Sequence, residues 1–285
     1  MPLLRVPAPY DFELSTERFR AFGPDLANLW VDGALHRVVA GREVRLAPGS
    51  GGVLVDLLDS ATEPVVGRLL GLEFDLAAFG SFANEHDRVL ARLVERLAGF
   101  RPPLAPDPFE ALVTSITAQQ VSLQAAFAVR NRLIARFGSP AGRAYSFPTP
   151  ERLAGAEPEE LAALGFSRRK AEYIVGLARS PLDLAGLRDA SDADVKALLR
   201  SVRGLGEWTA DWFLARHLAR PRAWPAGDLG LRKAVSAFYG AGRELSTEEV
   251  RALADRFDPF QNLTAHYLLT GKRLGFDQDQ TGSRD

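Results

Sequence analysis

"VRGLGEWTADWFLARHLAR", residues 202–220, opens on two glycines one residue apart and runs into an apolar stretch with two tryptophans. Ala210, Phe213, Leu214 and Leu218 mark one face of a helix over 206–219, while Trp208, Trp212, Ala215 and Ala219 mark nearly the opposite face. A helix apolar on two sides belongs inside a helical bundle. On this pattern alone the tryptophans fit a packed core or a pocket wall flanked by small alanines. Gly204 and Gly206 let the backbone take unusual dihedrals and approach a partner closely. The uncapped N–H groups at the helix start attract an anion, of which a phosphate is the obvious example.

Asp228, 22 positions after Gly206, lies in "WPAGDLGLRKAV". Leu231, Ala234, Val235 and Phe238 repeat at helical spacing, so the pattern predicts a helix from about Leu229 with Asp228 at its N-cap. The helix dipole favours a negative charge there. A persistent anion beside a tryptophan-lined cavity is a candidate catalytic group, with capping as its simpler role.

The rest of the chain divides by pattern. "ALHRVVAGREVRLA" (34–47) predicts two strands turning at Ala40-Gly41, and "GGVLVDLL" (51–58) a third, with strands confined to the first sixty residues. Residues 83–98 predict one helix through Leu90, Leu93, Val94 and Leu97. "GFRPPLAPDP" (99–108) carries four prolines and predicts a linker, placing a mixed α/β domain with an antiparallel sheet at 1–98. A mainly α region follows at 99–285, with its helix-hairpin-helix at about 192–220. Asp107 and Pro108 predict a helix start, Phe109, Leu112, Val113 and Ile116 its buried stripe, and Gly138 a left-handed helix end after Phe137.

The 285 residues, 46% hydrophobic and 25% charged, read as an ordinary globular composition. Zero cysteines excludes thiolate nucleophiles and cysteine-held zinc or iron–sulfur clusters. The four histidines share no metal-binding spacing. No apolar run would span a bilayer and no signal peptide opens the chain, so the expectation is a cytoplasmic protein without membrane contact. Net charge is −1. Acidic residues outnumber basic ones over 1–100 and the reverse holds over 161–243, as a phosphate-binding face requires.

These segments together resemble the helix-hairpin-helix DNA glycosylases, and within them the 3-methyladenine DNA glycosylase II (alkylbase glycosylase) family. The resemblance extends to "PYDF" near the start, "PFEALVTSITAQQVS", and "SFPTPERLAGAEPEELAALGFSRRKAEYIVGLA". It implies a monofunctional enzyme that flips alkylated bases of the 3-methyladenine and 7-methylguanine type out of duplex DNA and hydrolyses the N-glycosidic bond. It implies Asp228 as the catalytic carboxylate, Trp208 and Trp212 as pocket aromatics, and Leu269 where relatives carry a further pocket tryptophan. It further implies that Gly204, Gly206 and Thr209 hold DNA phosphates. Gln120 would be the wedge that fills the gap left by the flipped nucleotide, in place of an expected leucine. Carbonyls of Arg200, Val202 and Leu205 would seat a monovalent cation, with no other cofactor and a monomeric state expected.

Bifunctional relatives carry a Schiff-base lysine where this chain has Trp208. Its four lysines, Lys170, Lys196, Lys233 and Lys272, all lie outside 202–220. A non-catalytic DNA-binding module and a glycosylase with lyase activity stay open as alternatives.

Overall fold

A computed structural model describes residues 1–278 of the chain. Its first layer is a five-stranded antiparallel sheet in the order β1-β5-β4-β3-β2. The strands are β1 (Leu3–Arg5), β2 (Leu29–Val31), β3 (Ala34–Val39), β4 (Arg42–Gly49) and β5 (Gly52–Val55). Ala40 and Gly41 both take positive φ, 49° and 76°, which is the turn that a two-residue hairpin with right-handed strand twist requires. Leu35, Val44, Leu46, Val53 and Val55 are fully buried on one face. They pack with Phe12 of α1 (Phe12–Thr16) and Val66 and Leu69 of α2 (Thr62–Leu69). The three expected strands are present. The two outer ones, three residues each, are too short to show alternation in sequence.

Residues 83–98 are not one helix. Asp87, in extended conformation, closes α3 (Leu76–His86) and caps α4 (Arg88–Arg96), accepting from Val89 and Leu90 N–H. The expected linker is also corrected. Residues 101–104 are buried, Leu104 N–H donates to Arg68 O, and Ala105 N–H donates to Arg216 O at 2.8 Å. Prolines here shape a packed crossing rather than an exposed tether. The boundary expected at 98/99 therefore does not separate cores, since α3 and α4 pack with the last helices of the chain.

The helices that follow are α5 (Pro108–Ala118), α6 (Leu123–Phe137), α7 (Pro150–Ala154), α8 (Pro158–Ala163) and α9 (Arg168–Ala178). They continue with α10 (Asp192–Ser201), α11 (Glu207–Arg216), α12 (Leu229–Tyr239), α13 (Thr247–Ala252) and α14 (Gln261–Arg273). Asp107, Ser122, Thr149, Ser167, Ser191, Asp228 and Ser246 each cap a helix through a side-chain oxygen. Gly138 does end α6, but at φ −81° and ψ 177°, so it is not left-handed. Its glycine identity follows from crowding, because a Cβ would sit 2.3 Å from Ser146 O. Strands are not confined to the first sixty residues either, since Pro140–Ala141 and Ala144–Tyr145 form a small pair.

Two apolar cores organise the helices. One joins α5 to α11; the other joins α3 and α4 to α12, α13 and α14. Leu269 touches both, which places it on the seam between them.

A buried ionic network fastens the sheet to the first core. Glu110 of α5 accepts from Arg37 of β3 and Arg130 of α6, each at 2.6 Å. Arg37 also donates to Asn28 at 2.7 Å, and Arg130 to Asp25 and to Thr114. Burial alone would raise the Asp25 proton affinity; the Arg130 charge and the Asn28 hydrogen bond outweigh it and lower it.

His217 follows α11, with Nδ1 2.9 Å from Ala105 O. Burial pushes its pKa down to about 4. The folded value lies below the unfolded one, so the folded state binds fewer protons and loses stability as pH falls from about 6.5 towards 4. Denaturant titrations should show about 2 kcal/mol less stability at pH 5 than at pH 7 from this group. The difference should shrink in His217→Gln; equal pH dependence in the variant would contradict the assignment.

Candidate active site

Asp228 lies where the two helical cores meet. Its Oδ1 accepts the Leu231 N–H at 2.8 Å and so caps α12. Its Oδ2 accepts two indole N–H groups, from Trp208 Nε1 at 2.7 Å and Trp212 Nε1 at 3.1 Å. The tryptophans are four apart on α11, so both edges reach one oxygen. Three convergent donors match an acceptor-only carboxylate and fix its orientation. Helical spacing puts the two tryptophans on one side of α11, but no sequence signal announced that both indoles bond the same Asp228 oxygen.

The tryptophans differ in exposure. Trp208 is half-buried, whereas Trp212 is 4% exposed. The Arg216 guanidinium lies 3.6 Å over the Trp212 ring, and His266 approaches Trp212 edge-on at 6.1 Å. The expectation of two equivalent pocket aromatics is therefore narrowed: Trp208 offers ring surface, and Trp212 mainly its N–H. Leu269 borders the same place. A Cβ on Gly230 would meet Asp228 Oδ1 at 3.0 Å and Leu269 Cδ2 at 3.6 Å.

The hairpin glycines have separate causes. Gly204 takes φ +94°, and a Cβ there would lie 2.3 Å from the Tyr173 ring, so the fold itself demands glycine. Gly206 has open space around it and caps α11 with no side-chain acceptor. The first amides of α11 are thus left for an outside acceptor. Thr209 does not join them through its side chain. The residue is 1% exposed and its hydroxyl sits 3.5 Å from Gln119 Nε2, so its expected phosphate contact is restricted to the backbone.

Gln120 is exposed on the turn between α5 and α6 at φ +56°, a strained conformation for a side-chain-bearing residue. Val121 and Leu123 beside it are 46% and 43% exposed. Sequence reasoning missed what anchors this turn. Gln119 Nε2 donates to Gly204 O at 2.9 Å, and Lys170 Nζ to Thr117 O at 2.9 Å, tying the turn to the hairpin and to α9.

Arg200, Val202 and Leu205 surround the end of α10 and the hairpin. Val202 O accepts the Leu205 N–H at 3.1 Å and keeps a second lone pair. Neutral carbonyl oxygens suit a hard monovalent cation. Among the described residues no group of His, Asp and Glu side chains is arranged to hold a metal ion.

The lysines lie elsewhere. Lys196 pairs with Asp211 at 2.6 Å, Lys272 with Asp277, and Lys233 is exposed on α12.

Residues 113–259 match the model of the HhH-GPD superfamily of base excision DNA repair proteins. The chain belongs to that superfamily. Trp208 and Asp228 thus sit in the superfamily region of this HhH-GPD protein. It is 30% identical over 205 residues to a DNA-3-methyladenine glycosylase of Bacillus subtilis strain 168, covering 69% of this chain and 67% of that one. Its fold is similar to that of a 3-methyladenine DNA glycosylase from Archaeoglobus fulgidus, with TM-score 0.88, 29% identity, and coverage of 97% and 99%. It is also similar to a Schizosaccharomyces pombe 3-methyladenine DNA glycosylase solved in complex with abasic DNA. There the TM-score is 0.60, identity 26%, and coverage 68% of this chain and 96% of that one.

Proposed function

We propose that this HhH-GPD protein is a monofunctional DNA glycosylase that removes alkylated purines from duplex DNA. The observation that carries this reading is the Asp228 carboxylate held at the seam by two indole N–H groups beside a half-buried Trp208 ring. The similarity to glycosylases named for 3-methyladenine supports the substrate class.

A glycosidic bond inside a duplex is out of reach, so the nucleotide must be extruded, at a cost of a few kcal/mol that is lowest for damaged pairs. Gln120, on its exposed turn, would occupy the vacated space. The free amides after Gly206 would hold a backbone phosphate at the positive end of α11. Arg200, Val202 and Leu205 would hold a monovalent cation, which adds positive charge at that phosphate.

Purines methylated at N3 or N7 are cationic, and the Trp208 face attracts such a base by about 0.5–2 kcal/mol. As the bond breaks, the deoxyribose gains oxocarbenium character. Asp228 stabilises that charge, and its fixed orientation means little reorganisation is needed. The departing base keeps the bonding electrons, water adds to C1′, and its proton passes towards Asp228. No described lysine lies against Asp228 to form a Schiff base. The product is an abasic site in an intact strand, and the enzyme would work as a cytoplasmic monomer.

The test is incubation with methylated duplex DNA. Free 3-methyladenine should appear while strands break only after alkali. Strand cleavage trapped by borohydride would show a lyase, and binding without base release a non-catalytic module.

A further inference from the structure

The turn between α5 and α6 is held from two sides. Gln119 follows α5, and its side-chain amide donates from Nε2 to Gly204 O at 2.9 Å and lies 3.5 Å from Thr209 Oγ1. From the other flank, Lys170 of α9 donates to Thr117 O at 2.9 Å. Among the described residues, Gln119 is the side chain that hydrogen-bonds this turn to the hairpin.

Both ends of the Gln119 bond are constrained. Gly204 O belongs to a tight turn closed by Leu205 N–H on Val202 O at 3.1 Å, with the Tyr173 ring where a Gly204 Cβ would stand. The open amides at the start of α11 follow directly after this turn. At the other end, Gln120 comes straight after Gln119 and takes φ +56°. A residue in that region persists only where its surroundings over-determine it. Here the restraints are the Gln119 amide before it and the Ser122 hydroxyl after it, which accepts the Ala125 N–H at 3.2 Å. The resulting turn holds Gln120, Val121 and Leu123 out in solvent. Two of these are apolar and gain from burial against a partner.

We infer that Gln119 is a positioning residue: its bond to Gly204 O ties the wedge turn to the phosphate-holding hairpin, so that seating the hairpin on the DNA backbone drives the turn into the base stack. The inference rests on the glycosylase reading of Asp228 and on the duties given above to the hairpin amides and Gln120. Gln119 does not touch the reacting atoms. Its effect falls on extrusion, because the turn must replace the stacking and pairing that the lesion base gives up. Without the bond, the turn keeps its place in the chain but loses its fixed distance from the hairpin. Binding energy at the phosphate then no longer offsets the cost of extrusion. Bases that are already unpaired need less of that help.

The experiment compares kcat/KM for 7-methylguanine paired with cytosine and for the same base facing a tetrahydrofuran residue, where no pairing has to be broken. Gln119→Met keeps the length of the side chain and removes its donor. The paired-to-unpaired ratio should fall by about fivefold, the size of one neutral hydrogen bond. Gln119→Glu, read the same way, covers failure of the first variant to fold. Ionised at pH 7, it sets an acceptor against Gly204 O and should lower the ratio at least as far. A ratio within about twofold of wild type would overturn the inference. That includes equal losses on both substrates, which would make the bond a support of the fold alone. Release of the base from neither duplex by the wild-type protein would instead remove the glycosylase reading itself.

Discussion

Glu110→Gln is expected to cost the fold about 3–5 kcal/mol, the usual penalty for removing one partner from a buried ionic network. Glu110 accepts from two arginines whose side chains are almost inaccessible to solvent, Arg37 at 8% and Arg130 at 3%. Glutamine retains one acceptor oxygen and turns a donor towards one of those guanidinium groups. Two buried cations would then share one glutamine oxygen with Asp25, Asn28 and Thr114. Because the network spans β3, α5 and α6, its failure should loosen the sheet from the helices rather than melt a single element. The check is urea unfolding of wild type and variant at pH 7, followed by fluorescence. A shift below about 1 kcal/mol would mean that the network is energetically idle. Replacing the whole set with apolar residues of similar volume need not be costly, so the prediction applies to the single change.

How much of this could be read from the chain depends on the range of the interaction. Helix starts were legible because a cap and the N–H that donates to it are three residues apart: Asp107 and Asp228 each perform locally what the sequence implies. The hairpin 34–47 was legible because Ala40-Gly41 can only be a tight turn. Asp87 was not read as a break because one extended residue between two helices leaves the apolar spacing almost intact. The proline-rich 99–108 resembled a tether because composition reports stiffness but not burial.

Within the site, Asp228 and both tryptophans were legible from helical spacing together with family resemblance. Their unequal exposure was not, since Arg216 and His266, which cover Trp212, come from the far end of α11 and from α14. The Gln119 bond to Gly204 O joins residues 85 apart in the chain, and local pattern cannot show it.

The largest functional effect is expected for Asp228→Asn. Asparagine can still cap α12 through its carbonyl oxygen, so the helix start should hold, as caps of similar rank exchange easily. The chemistry should not survive. The amide carries no negative charge to oppose the oxocarbenium ion. Its NH2 group also conflicts with two indole donors that point at Oδ2. Loss of an electrostatic group of this kind in a preorganised site lowers turnover by about 10²–10³ or more. DNA binding, which the proposed function gives to the hairpin amides and Gln120, should change little.

The most direct measurement is therefore single-turnover release of 3-methyladenine from duplex DNA by wild type and Asp228→Asn, with affinity for abasic duplex measured on the same preparations. The account predicts that release falls by at least about a hundredfold while affinity stays within about threefold. Equal release rates, or a parallel loss of binding and release, would contradict the assignment of Asp228 as the catalytic carboxylate.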